Sequence, residues 1–482
     1  MAEGSPPRWP LLGALCAAAA LSAAVWMVSV SHGAHLWHFD AKAHLVVARR
    51  VFDNITPGWR QLGAIWLPLP HMLNAIPAQS DLLYRTGLFA SGLSYVAFLL
   101  GISALGHAVA RATGDSWAGV VAVAVPALNP GWLYLQSTPL TEPLFLGLAC
   151  GSVLFAVRFA DGAGLSDLVA AAACSGAACL VRYEAWPFAA LLMSWTAWRA
   201  RRPRRAALAL GLGLLGPILF YGIHAWAVSG IPFHAMNAEN LTRAKGELGA
   251  CVRLLLGGGR EAFGAWLPAA AALSLAALGC LRSSRRARLL APAIVATLAP
   301  ASVTLTAYLA GHPEKARYVL LLAPALALAL AAATAGRRWL QAAALVLAAL
   351  QWASSTAPLA VLEEASLDRT DIVERAPVVA QLRRDYAGGR LLVSLASLAP
   401  VVFETRIPVR EFVHEGNVGL WEHVAVDPAR EVAWVLIAEG DALDRVREYR
   451  PAFPESFVPV MRSGRVTIYR RAADLGPRLA GM

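Results

Sequence analysis

Apolar runs of about 20 residues, the length needed to cross a bilayer as a helix, recur along most of the chain and then stop. They lie near 11–31, 84–110, 117–133, 141–158, 166–181, 186–199, 206–228, 262–281, 289–310, 318–335 and 338–358, which predicts about eleven transmembrane helices. The fifth and sixth are short. They flank Arg182-Tyr183-Glu184 and read as tilted helices that meet at a buried polar corner. The first run, Leu11 to Ser31, lacks a clear small-x-small cleavage site before a polar segment, and further spans follow it. It reads as a retained helix and not as a secretory signal.

After about residue 360 the pattern changes: charge density rises and apolar runs shrink to strand length. DIVERAPVVAQLRRDYAGG and DALDRVREYRP predict helices, RLLVSLA and VAWVLIAEG buried strands, and FVPVMRSGRVTIYRR a hairpin around Ser463-Gly464. The expected organisation is a membrane domain over 1–360, with a long first outer loop at 32–83, followed by a small extracytoplasmic α/β domain over 361–482.

Composition supports the membrane class. The 482 residues are 57% hydrophobic and 15% charged, too little polar surface for a soluble fold. The formal charge of +11 is carried almost wholly by arginine, since Lys42, Lys245 and Lys315 are the only lysines. Arg111, Arg158, the 199–205 cluster, the 282–288 cluster, Arg337 and Arg338 fall on every second connection, as on a cytoplasmic face. The N-terminus is therefore expected inside. The charge excess is topological, so nucleic acid is not an expected partner. All three lysines fall on the opposite face, against the positive-inside trend, which points to an anionic ligand or to ordinary loop solvation. No CxxC pair occurs among the six cysteines, and only Cys251 lies in a polar loop, so neither a disulfide framework nor a zinc site is expected.

The densest candidate chemistry lies between His38 and His71, where nine ionisable side chains follow the first span. If Phe39 to Asp53 is helical, Asp40 and His44 share one face, with Lys42 and Arg49 elsewhere on its circumference. Asp40 could simply cap the helix, or act in catalysis. Asp53 reads as part of a helix stop. Trp66-Leu67-Pro68-Leu69-Pro70-His71 reads as a rigid return toward the membrane, with Trp66 at the interface. Glu142 opens the fourth span, either complementing the helix N-terminus or serving as a site carboxylate at membrane depth. Arg182 and Glu184 form a mutual pair or part of a pocket floor. Lys315 and Arg317, in HPEKARY, are suited to holding a phosphate or to snorkelling at an interface. The 229–261 loop adds His234, Asn237, Glu239, Asn240, Arg243 and Lys245 without a diagnostic spacing.

No P-loop, GxGxxG, HExxH or GxSxG occurs, and the cytoplasmic connections are too short to build a nucleotide site. An outer active site without nucleotide energy needs an activated substrate, and a lipid-linked phosphosugar meets that need. The order FDAKAHLVVARR, WLPLPH, TEPLF, RYEAWP and H-x-E-x-x-R-Y resembles the GT-C superfamily of polytopic glycosyltransferases. It is most similar to the bacterial branch related to protein O-mannosyltransferases and lipid A aminoarabinose transferases. HPEKARY is similar to the HKExxRF signature of other GT-C mannosyltransferases, with proline in place of its lysine.

The resemblance covers roughly 10–340 and carries the family's essential first-loop acid onto Asp40. Many members have two adjacent acids there, whereas Ala41 follows Asp40 in this chain. A divalent cation bridging carboxylate and phosphate is compatible with the sequence but not required by it. The resemblance implies transfer of a hexosyl or pentosyl group from a polyprenyl-phosphate carrier to an extracytoplasmic protein, lipid or glycan acceptor. The setting implied is the bacterial inner membrane. In this reading Asp40 is the general base and transfer inverts the anomeric centre. Lys42, Arg49, Lys315 or Arg317 would steady the phosphate, while His44, His71, Glu142, Arg182 and Glu184 would line the substrate pocket. The alternative is a transporter or flippase of lipid-linked saccharides, which would be expected to show two related halves with interrupted helices.

Overall fold

The structure, a computed structural model, describes residues 9–233, 247–280, 284–312, 315–354, 360–449 and 453–475. The loop candidates His234, Asn237, Glu239, Asn240, Arg243 and Lys245 lie outside the described residues, as do Pro313 and Glu314 of the HPEKARY turn. By packing, the chain forms two units with interleaved segments. One comprises Met1–His35, Ala64–Pro70 and Ser91–Glu364, and the other Leu36–Gly63, His71–Ala90 and Ala365–Met482.

The first unit is helical. Six helices among the described residues are long and apolar enough to cross a membrane: Trp9–Ser31, Leu88–Thr113, Glu142–Ala160, Pro203–Ser229, Arg285–Leu309 and Ala316–Thr334. Shorter apolar helices such as Ser116–Ala127, Leu165–Cys179 and Arg338–Ala349 fall on the remaining runs. The chain is an α-helical integral membrane protein. The two short spans flanking residues 182–184 are the helices Leu165–Cys179 and Ala185–Ala200.

Lipid tails are as apolar as leucine, so such helices associate through close backbone packing at small residues. Gly147 sits so near the Leu88–Thr113 helix that a Cβ there would lie 2.6 Å from the Ala97 carbonyl oxygen. Gly119 is equally constrained, its Cβ position lying 2.8 Å from the Gly106 carbonyl oxygen. We expect Gly147→Leu to separate these helices at a cost of about 1–3 kcal/mol or more. This would be seen as a lowered melting midpoint in detergent, and an unchanged midpoint would show that the contact is not tight.

The second unit contains a five-stranded sheet of order β2-β1-β3-β5-β4. The strands are β1 (Leu391–Leu392), β2 (Phe412–Val413), β3 (Trp434–Ala438), β4 (Phe457–Ser463) and β5 (Val466–Arg471). β1 runs parallel to β2 and β3, whereas β5 is antiparallel to β3 and β4. The expected hairpin turns at Gly464, whose φ of 52° is in the left-handed region. The two expected helices correspond to Ala360–Asp385 and Ala442–Glu448, the second capped by Asp441, which accepts from the Asp444 N–H at 2.8 Å.

RLLVSLA does not continue as a strand beyond Leu392. The chain turns at Ser394 into the helix Leu395–Thr405, whose first turn is held by Glu415 accepting the Leu395 N–H at 2.9 Å. One side of the core gathers Leu392, Val413, Val435, Ile437, Leu443, Phe457 and Tyr469.

A polar cluster in this unit ties the 53–61 turn to the turn that follows β2. Asn417 Nδ2 donates to Asn54 Oδ1 at 2.6 Å, and Gln61 Nε2 donates to the Gly416 carbonyl at 2.8 Å. Buried His414 accepts the Gly416 N–H through Nδ1 at 3.0 Å. Burial, with the Arg50 charge as a smaller cause, holds the His414 pKa well below 6.5. The folded chain therefore keeps it neutral while the unfolded chain takes up a proton near pH 6.5, so stability falls as pH drops below that point. We expect the melting midpoint to decline more steeply from pH 7 to 5 in the native chain than in His414→Gln. Parallel curves would exclude this residue as the cause.

Candidate active site

Candidate groups form two clusters, one in each unit. The first is built on the helix Phe39–Arg50, FDAKAHLVVARR. Alanines favour the helix, and Arg49 and Arg50 complement its C-terminal dipole. It ends at Arg50, short of Asp53. The residues from Ala41 to Ala48 are all buried, including Lys42 and His44.

The N-cap is His38, not Asp40. His38 is extended, and its Nδ1 accepts the Asp40 N–H at 3.0 Å. A carboxylate from the C-terminal segment, Asp368, accepts the Phe39 N–H at 2.7 Å. Asp40 is thus the second residue of a helix whose first turn is capped by other groups, and it is only partly buried. The reading of Asp40 as a mere helix cap loses its main support.

Around this helix the structure joins two candidates directly. His44 Nδ1 lies 2.9 Å from His71 Nε2, with both rings buried. Lys42 is paired with Glu404, a partner that no local sequence signal indicates. Burial pulls the Lys42 pKa below its ordinary value, opposed by Glu404. Arg49 is directed at protein acceptors: Asp53 at 3.0 Å, Asp81 at 3.0 Å, and the carbonyls of Ala78 and Gln79 at 2.9 and 2.8 Å. Asp53 also accepts from Arg410 at 3.1 Å and from the Val409 N–H at 3.2 Å, consistent with its reading as a structural terminus.

The second cluster lies at the polar corner of the helical unit. Arg182 Nη1 donates to Glu142 at 2.8 Å and to the Thr141 hydroxyl at 2.9 Å, while Nη2 donates to Glu184 at 2.6 Å. Arg317 Nε is 3.7 Å from Glu142 and 3.6 Å from Glu364, and Lys315 is 2.9 Å from Glu364. Both guanidinium carbons stand 5.4 Å from the centre of the Tyr318 ring. Sequence reading therefore named Glu142, Arg182, Glu184, Lys315 and Arg317, which the fold brings into one network, and missed Glu364.

Burial pulls the Arg182 pKa down, but Glu142 and Glu184 outweigh it and hold the guanidinium charged. Beside the network, Tyr183 and Tyr221 share a hydroxyl contact of 2.7 Å and donate to the carbonyls of Ile65 and Ala64. They fix the start of the WLPLPH segment. Among the described residues no group of three or more His, Cys, Asp or Glu side chains is arranged to hold a metal ion.

No family profile matches the chain, and no curated protein matches it by sequence. Solved structures do match. ArnT from Cupriavidus metallidurans bound to undecaprenyl phosphate superposes with a TM-score of 0.62 at 14% identity, covering 95% of this chain and 98% of that one. The apo state of ArnT from the same organism gives 0.61 at 16% identity, with the same coverage. At such identities the likeness is one of fold: over 95% of its length the chain shares the fold of these ArnT structures.

Proposed function

We propose that this chain is a membrane glycosyltransferase that moves a sugar from a polyprenyl-phosphate carrier to a hydroxyl-bearing acceptor. The observation that carries the reading is the fold shared over 95% of the chain with a protein solved with undecaprenyl phosphate bound. Asp40, on a helix capped by other groups, is the general base. It takes the acceptor hydroxyl proton as that oxygen attacks the anomeric carbon, and the bond from carbon to phosphate oxygen breaks on the opposite face. The lipid phosphate leaves with the bonding pair, and the anomeric centre inverts. One displacement needs one base, not the two carboxylates of a retaining hydrolase.

In this reading the protein lies in a bacterial inner membrane, with its N-terminus cytoplasmic and the segment after 360 on the extracytoplasmic side. That follows from the arginine-rich connections 199–205 and 282–288. The acceptor is a protein, lipid or glycan, and the sugar a hexose or pentose. Arg49, with its guanidinium directed at Asp53 and Asp81, is assigned to holding its loop and not to the donor.

The test is the purified full-length chain in proteoliposomes, supplied with a panel of undecaprenyl-phosphate hexoses and pentoses and extracted envelope acceptors. Mass spectrometry should find undecaprenyl phosphate released from one donor. A folded preparation that releases it from none would overturn the proposal.

A further inference from the structure

The segment after residue 364 packs in the same unit as the Asp40 helix, and its acidic side chains reach the residues on either side of Asp40. Asp368, on the helix Ala360–Asp385, accepts the Phe39 N–H at 2.7 Å and stands 3.6 Å from His38 Nδ1. Glu404, on the helix Leu395–Thr405, is paired with Lys42, whose side chain is 6% exposed. Glu404 is itself steadied, since Arg383 Nε donates to its backbone carbonyl at 3.2 Å. The Leu395–Thr405 helix packs along the Phe39–Arg50 helix, and the neighbouring Phe403 ring lies 5.0 Å from Tyr84.

These contacts differ in what they constrain. Asp368 acts on the first turn, and with His38 it decides where the helix starts. Lys42 follows Asp40 by two residues, about 200° around a helix of 3.6 residues per turn. The Lys42–Glu404 pair therefore grips a face nearly opposite the one that Asp40 presents. A buried lysine held in this way is a tether and not an open phosphate ligand, because leaving either partner alone in the interior is costly.

We propose that the C-terminal segment is the positioning element of Asp40, Asp368 setting the start of the Phe39–Arg50 helix and Glu404, through Lys42, setting its rotation. This rests on the reading of Asp40 as the general base. Glu404 and Asp368 are positioning residues: they act on the helix and not on the substrate. It also gives the C-terminal α/β segment a role in the reaction beyond its own fold.

The experiment compares Asp368→Asn, Glu404→Gln, Lys42→Glu, Glu404→Lys and the exchanged pair Lys42→Glu/Glu404→Lys in the full-length chain. The donor is the undecaprenyl-phosphate sugar that the native chain turns over. Misplacing a catalytic group by about 1 Å can cost about 100-fold, so Asp368→Asn and Glu404→Gln should each lower kcat by about 10–100-fold. The donor KM should stay near the native value, as for an interaction felt only in the transition state, while the melting midpoint should fall for Glu404→Gln, which leaves buried Lys42 without its carboxylate. Amide hydrogens of 39–44 should exchange faster in both variants.

The exchanged pair should regain most of the activity lost by either single reversal. Where Glu404→Gln does not accumulate as folded protein, that exchange decides: recovery supports the tether, and purely additive losses overturn it. Native kcat in Asp368→Asn and Glu404→Gln, or unchanged exchange at 39–44, overturns the positioning role alone. A native chain that turns over no donor overturns the reading of Asp40 and this proposal with it.

Discussion

Asp40→Asn is expected to lower sugar transfer by about 10²–10⁴-fold, the usual contribution of a general base, while expression, membrane insertion and donor binding stay near those of the native chain. The variant removes a proton acceptor and leaves the volume almost unchanged. It should not unravel the helix, because the first turn is capped by His38 Nδ1 on the Asp40 N–H and by Asp368 on the Phe39 N–H. Loss of activity with intact folding would therefore report chemistry. The pH profile sharpens the result: the acid limb of kcat/KM should disappear in the variant, since the group whose deprotonation it reports is gone. Transfer at the native rate by Asp40→Asn would remove Asp40 from the mechanism.

Arg182→Met is expected to carry the largest stability loss of any single change at the polar corner. Arg182 binds Glu142, whose side chain is fully buried, and Glu184, which is 8% exposed. Removing one partner of a buried ion pair costs about 3–5 kcal/mol, because the remaining charge stays in a poorly solvating interior. Here the change takes away the guanidinium that binds both Glu142 and Glu184. Among the described residues the paired groups are three carboxylates and three cations, and the variant lacks one of those cations.

A thermal melt followed by size-exclusion chromatography should show the loss. Adding Glu142→Gln and Glu184→Gln to Arg182→Met should recover part of it, since neutral amides are cheaper to bury than unpaired carboxylates. A single variant that melts with the native chain would mean that the corner is hydrated and its pairs contribute little.

Much of the architecture was legible because its signals are local. A bilayer span needs a continuous apolar run, and a run such as Leu11 to Ser31 can be read without its neighbours. The corner was legible for the opposite reason: Glu142 and Arg182 are charged residues where charge is expensive, so partners were to be expected. Asp40 stood out from its place in FDAKAHLVVARR.

What stayed hidden depends on distant pairing. Lys42 and Glu404 are 362 positions apart, and Phe39 and Asp368 are 329 apart. Nothing in the periodicity around Glu404 or Asp368 separates them from ordinary surface acids. Lys42 was therefore read as a phosphate ligand, whereas its buried pairing supports a tether. The end of RLLVSLA, read as strand, begins a helix for another reason. A short apolar run fits strand and helix equally well, and the helix is favoured by Glu415 accepting the Ser394 hydroxyl and the Leu395 N–H.

The most direct test of the central claim is the anomeric configuration of the product. The purified native chain is incubated with the productive undecaprenyl-phosphate sugar and its acceptor, and the product is isolated and examined by NMR at the first turnovers. The account predicts a sugar joined to the acceptor with its anomeric configuration inverted relative to the donor. A product that retains configuration would contradict single displacement by Asp40, and intact donor recovered from the opposite leaflet with no product would make the protein a transporter.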